Sequence, residues 1–260
     1  SESMAVEKFI RDAEQYFLNR LGAREGNILF TGCATESNNL AIKGSLRSGD
    51  WEYVFSAGEH PSVFNVAKKL ELDGYKVHFV SLNKQGQVDL AELEKVLNKK
   101  TRLISIMHVS NETGAINDLE EISKLKDRLC PRSVFHVDGV QGFMKIPFSI
   151  RKTSVDLYSF SAHKLHGPKA VAGLYVRNKN NLKELFQGGG QQFGLRSGTE
   201  NVSGIMQFKK ALELIDEVSN FDKVKLLKHK FIETISRESG IVSMDFGGSP
   251  YIENLVFLGV

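Results

Sequence analysis

The stretch DLYSFSAHKLHGPKAVAGLYV (156–176) sets Lys164 at the end of an apolar run, between His163 and His166 and just ahead of a Gly-Pro pair. An amine held in a partly desolvated pocket loses basicity and becomes a nucleophile toward carbonyl carbon. A loop lysine taken alone is equally a solvated surface cation. Asp138, in SVFHVDGVQG, follows another apolar run directly. An unpaired carboxylate there is costly to desolvate and calls for a cation, either a side chain in a structural ion pair or the protonated ring nitrogen of a cofactor. In TGCATES a glycine permits a tight turn after NILF, and Thr35, Glu36 and Ser37 offer caps to a following helix. Such a helix start is a phosphate cup if its free amides and dipole face a site, and an ordinary cap if they do not. The segment has neither the GK[ST] ending of a nucleotide loop nor the GxGxxG spacing of a dinucleotide fold.

These three residues share a setting, the end of a short apolar run. NILFTG, YVFSAG, KVHFVSL, RLISIMHVSN and SVFHVD have strand lengths, and between them lie the helical patterns ATESNNLAIKGSL, PSVFNVAKKLELDG, DLAELEKVLNKK and DLEEISKLKDRL. This alternation predicts a βαβ-rich parallel sheet. Five strand endings finish in small, polar or ionisable residues: TGCATES, SAGEH, HVSNE, HVDGVQ and SFSAHK. Open parallel sheets bind ligands outside the carboxyl ends of their strands, so a site is expected where these five endings meet. From about residue 205 the chain reads as a helical segment leading into IVSMDFG and ENLVFLGV.

Composition narrows the function classes. A length of 260 residues with 41% hydrophobic content supports a substantial core in one large domain, with the start of another at its end. The 34 basic and 31 acidic residues, net +3, form no dense run that would mark a nucleic-acid or membrane footprint. Cys33 and Cys130 are far apart, without CxxC or His-interleaved spacing, so neither a disulfide framework nor a metal site is expected, and a reducing, cytoplasmic setting fits. The opening SESMAVEKFIRDAEQYFLNRLGA reads as a polar amphipathic helix, not a signal peptide, and no apolar run has the length of a membrane span.

The runs FTGCATESNNLAIKG, EHPSVFN, HVSNETGAIND, FHVDGVQ, DLYSFSAHKLHGPKAVAGLYVR and GGGQQFGLRSGTEN, in this order along nearly the whole chain, resemble the NifS-like cysteine desulfurases, pyridoxal-phosphate (PLP) enzymes of aminotransferase class V. The resemblance implies a three-layer αβα sandwich with a mostly parallel sheet, the large domain of fold type I PLP-dependent transferases. It implies that Lys164, within S-x-H-K, is the Schiff-base lysine. Asp138 would pair with the pyridine nitrogen, Gln141 would hydrogen-bond the ring hydroxyl and His60 would stack on the ring face. Asn111 would lie beside the ring. Ala34, Thr35, Ser161 and His163 would bind the phosphate. Thr199, in RSGTEN, would reach the cofactor of the other subunit, which implies a homodimer. Read alone, His60 is a capping or solvated histidine, Asn111 a turn residue, and Arg196 a brace for the Gly-rich loop.

The implied activity is release of sulfur from L-cysteine, giving L-alanine and an enzyme persulfide for iron–sulfur cluster or thio-cofactor assembly through a sulfur-acceptor protein. Selenocysteine lyase, another class V enzyme, or a non-catalytic cofactor-binding and dimerising domain are the alternatives. The family's loop cysteine and substrate-carboxylate arginine fall after the RSGTEN motif, in regions this chain does not include. Cys33 and Cys130 match neither position and are expected to be structural. The expected division is a cofactor-binding domain over 1–250, N-terminally incomplete, and the start of a smaller domain over 251–260. Gln192 and Phe193 stand where the family more often has a charged pair.

Overall fold

The computed structural model describes residues 2–237, 240–244 and 248–259. Helix α1 (Glu2–Arg20) leads into β1 (Asn27–Thr31), and α2 (Ala34–Gly44) follows. Then come β2 (Glu52–Ser56), α3 (Pro61–Leu72), β3 (Lys76–Val80), α4 (Leu90–Val96), β4 (Thr101–Ser105), α5 (Leu119–Leu129) and β5 (Val134–Asp138). Strand β6 (Leu157–Ser161) carries the lysine turn and is followed by β7 (Ala172–Val176). The expected single helical segment is two helices, α6 (Val202–Glu213) and α7 (Glu217–Ile235). The break falls at Asp216, whose carboxylate accepts from the Ser219 amide and starts α7 as an N-cap.

Seven strands form one sheet in the order β1-β7-β6-β5-β4-β2-β3. Every pairing is parallel except those of β7, which runs antiparallel to both β6 and β1. The reason is length. The link from β6 to β7 has no room for the crossover helix that a parallel return needs. Because β7 alone is reversed, β1, β2, β4, β5 and β6 all deliver their carboxyl ends to one edge, the edge where the sequence placed its polar endings.

Alternate strand residues face opposite layers. Ile28 and Phe30 join Phe17, Phe160 and Phe208 in the core under α1 and α6, while Leu29 packs with Leu40, Ile42, Tyr53 and Phe55 under α2 and α3. Phe17 is the hub of the first layer, with ring centroids 5.4 Å from Phe30, 5.5 Å from Phe160 and 4.7 Å from Phe208. Such offset and edge-on pairs add to area burial and hold the strand ends rigidly. The layering is the αβα sandwich expected. The expected domain boundary after residue 250 lies between β8 (Ile241–Ser243) and β9 (Leu255–Phe257), which pair with each other apart from the large sheet.

Candidate active site

A cavity of about 360 Å³ opens at the carboxyl edge of the sheet, within the usual range of small-molecule sites. Its walls come from five separate segments. Ala34 and Thr35 stand at the start of α2, His60 at the start of α3, and Asn111 in the loop after β4. Asp138 and Gln141 follow β5, and His163 and Lys164 lie in the single 3₁₀ turn (Ala162–Leu165) after β6. Ser161 sits behind His163, its Oγ 2.8 Å from His163 Nδ1. Thr199 lies elsewhere, exposed in a groove with Thr31, Gln192, Arg196 and Asn201.

Local sequence explains each placement. His166 ends the 3₁₀ turn in the left-handed region at φ 60°, a conformation that histidine tolerates better than most non-glycine residues. In DGVQG both glycines permit close approach: a Cβ on Gly139 would lie 2.0 Å from the Tyr158 ring, and one on Gly142 would lie 2.3 Å from His108 Nδ1. Tyr158 stacks on Phe148 and bonds His108 Nδ1 at 2.9 Å, so the Asp138–Gln141 loop rests on a fixed aromatic wall.

At α2 the N-cap, Cys33, makes no side-chain cap hydrogen bond. The expected caps are used otherwise. Glu36 accepts from the Gly32 amide at 2.7 Å and from Arg196 Nε at 2.8 Å, while Ser37 turns inward to Thr31 at 2.7 Å. The first-turn amides beside Ala34 and Thr35 are thereby left for an anion. Cys33 is exposed and lines the cavity beside Ala34, unlike the structural thiol expected, whereas Cys130 is buried next to Ser133.

The floor carries negative charge. Asp138 is 6% exposed; its Oδ1 accepts from the Val140 amide at 3.1 Å and its Oδ2 from Asn38 Nδ2 at 2.7 Å. Burial raises its carboxyl above the ordinary aspartate value, and those two donors and the charge of His60 oppose the rise. Glu59 is deeper in effect: one oxygen accepts from the Met107 amide at 2.6 Å, and the other has no partner among the described residues. Burial, and then the charge of Asp138, holds Glu59 well above the glutamate value. Two adjacent buried carboxyls do not both ionise, and Asp138 has the better donors.

The opposite wall carries positive charge. Burial, then the cations of Lys164, Lys145 and Lys169, lowers His163. An entering phosphate dianion would relieve that mutual repulsion.

Sequence reasoning missed the second layer. Asn38 donates to both Asp138 and Ser62 Oγ (2.9 Å), and Ser62 Oγ lies 2.7 Å from His60 Nδ1. The Ser62 amide also donates to His60 Nδ1 at 3.1 Å, so Nδ1 is the accepting nitrogen. Asn38 is one turn after Ala34 and Ser62 two residues after His60, so helical periodicity from the site residues was the available signal. The Gln192 amide pairs twice with the free edge of β1, accepting from Phe30 N at 2.6 Å and donating to Phe30 O at 2.8 Å.

Residues 1–239 match the family model described as aminotransferase class-V. Among curated proteins, a cysteine desulfurase of Nostoc sp. is 41% identical over 233 residues, which are 88% of this chain and 58% of the relative. The cysteine desulfurase IscS of Anaeromyxobacter sp. is 37% identical over 251 residues, 94% of this chain and 61% of the relative. The chain thus spans about three fifths of these relatives' length. A solved NifS-like protein superposes on 100% of this chain and 73% of its own, with a TM-score of 0.93 and 33% identity. With its family match and this superposition, the chain belongs to the aminotransferase class-V family, among its NifS-like members.

Proposed function

We propose that this chain is the cofactor-binding part of a PLP-dependent cysteine desulfurase and that Lys164 is the residue to which the cofactor bonds. The observation that carries the reading is the convergence of Lys164, Gln141, His60 and a buried, cation-poor Asp138 on one cavity. The donor chemistry fits PLP at each end. Asp138 meets the need of a protonated pyridine nitrogen, and the α2 amides with Thr35, Ser161 and His163 suit a phosphate dianion. Gln141 would donate to the ring oxygen, His60 would cover one ring face and Asn111 would border it.

Bound PLP supplies an electron sink that stabilises negative charge at the substrate α-carbon. This chain's residues do the rest. Asp138, held by Asn38 and Val140, would keep the ring nitrogen protonated. The Lys164 amine, which lines the same cavity, would carry a proton at the substrate α-carbon. His60, with Nδ1 occupied by Ser62, would have only Nε2 free to meet the substrate. For substrate, the Nostoc relative's cysteine chemistry is the reading adopted, and persulfide would form on a cysteine other than buried Cys130. The product would feed iron–sulfur or thio-cofactor assembly in the cytoplasm, and exposed Thr199 would serve a partner's cofactor in a homodimer. Since β8 and β9 share a sheet, the smaller domain is best started at Ile241.

The test is spectroscopic. The chain incubated with PLP should gain a visible band, and borohydride should fix the cofactor on Lys164 by peptide mass; Lys164→Ala should show neither. A colourless wild-type protein overturns the site reading. Alanine and sulfide formation from cysteine, compared with selenide from selenocysteine, tests the substrate. A coloured dimer inert to both would favour the binding-domain alternative.

A further inference from the structure

Lys145 stands one layer behind the cavity. It follows Met144, a buried side chain held in the left-handed region at φ 58°, a conformation rare for a bulky residue and kept only where surroundings enforce it. The consequence is a half-buried amine whose Nζ donates to Gln141 Oε1 at 2.9 Å and lies 6.0 Å from the Tyr251 ring centroid. Among the described residues no carboxylate lies within ion-pair distance of it.

An ammonium has only donors, so the Gln141 amide must turn its oxygen to Lys145 and its NH₂ group away. Gln141 lines the cavity, and that NH₂ group has no hydrogen-bond partner among the described residues. We propose that Lys145 is a positioning residue: it fixes the Gln141 amide as a hydrogen-bond donor to the cofactor's ring oxygen and places a positive charge behind that bond.

The inference rests on the reading that Lys164 carries PLP. Lys164 and His163 from the turn after β6 and Tyr251 from the segment before β9 face Lys145, and Asp138 from β5 lines the same cavity as Gln141. Burial, and then the charge of Lys164, brings Lys145 down to about 8, so it is still cationic at neutral pH. A cation and a donor at the ring oxygen both favour the less protonated form of the lysine–cofactor adduct.

The experiment loads the chain with PLP and follows the adduct's absorption band against pH in wild type, Lys145→Met, Lys145→Arg and Gln141→Met. Lys145→Met should raise the titration midpoint by about one unit, Gln141→Met should move it the same way, and Lys145→Arg should restore the wild-type midpoint. Borohydride reduction and peptide mass report the Lys164 adduct in each sample. An unchanged midpoint in Lys145→Met with the adduct present overturns the proposal. If Lys145→Met fails to hold PLP, Lys145→Arg decides: a wild-type midpoint supports the cationic donor, and failure to load overturns it. An absent adduct in wild type sinks the underlying reading instead.

Discussion

Glu52 and Asp138 are both buried carboxylates on the same sheet, at opposite ends of it, and the chain treats them differently. Glu52 opens β2 at 4% exposure and accepts from Lys76 Nζ at 2.5 Å, His78 Nε2 at 2.9 Å and Asn98 Nδ2 at 2.9 Å. Burial alone would raise it, but those donors outweigh burial and bring it to about 2. Asp138 ends β5 with one amide and one carboxamide, no cation in bonding contact among the described residues, and a second buried carboxyl, Glu59, beside it. A structural charge is neutralised inside the chain that buries it. One left short of a cation stays protonated, as at Glu59, or takes its cation from a bound group, as proposed for Asp138.

Exchanging the two sites' chemistry tests this, beginning with the largest effect. Asp138→Asn should weaken PLP binding on the order of 100-fold, the value of a lost charge-assisted hydrogen bond, while leaving the urea midpoint of the cofactor-free protein unchanged or higher; equilibrium dialysis and urea melts check both halves. Glu52→Gln should do the reverse, lowering stability by about 2 kcal/mol with PLP affinity intact. Equal loss of affinity in both variants would end the distinction.

Acid unfolding should show the difference in mirror image. Glu52 is depressed in the folded state, so its stabilisation is full above its ordinary value near 4.5 and is lost as pH falls toward 2. Glu59 is raised, so its ionisation opposes folding increasingly as pH climbs above 4.5. The stability gap between wild type and Glu52→Gln should therefore open as pH rises from 2 to 4.5 and then stay constant. Glu59→Gln should gain on wild type as pH rises further, read from urea midpoints at each pH. The smallest effect belongs to Ser62→Ala, which removes one link to His60 and should cost about 1 kcal/mol or less, visible as a modest loss of PLP affinity.

The endings TGCATES, SAGEH, HVSNE, HVDGVQ and SFSAHK were readable as a single edge because strand length and helical periodicity are local properties. Eight of the ten residues singled out line one cavity, Ser161 stands behind it, and Thr199 lies apart. Hidden from the sequence were the residues whose importance is purely one of contact. No local pattern singles out Asn38 or Glu59, and nothing in GGGQQFG ties Gln192 to the edge of β1. The antiparallel β7 depended on a link too short to cross over. Nothing in FMKIPF announced that Met144 would adopt φ 58° and turn Lys145 toward Gln141.

The sequence by itself determined a βαβ-rich parallel sheet and which strand ends carry reactive groups, because period and chain reversal act over a few residues. Only the tertiary structure decided which of those groups share a cavity, that Glu52 is neutralised while Asp138 is not, and which way Gln141 faces. These depend on burial and on partners tens of residues away, where desolvation and hydrogen-bond geometry, not local preference, set the energy.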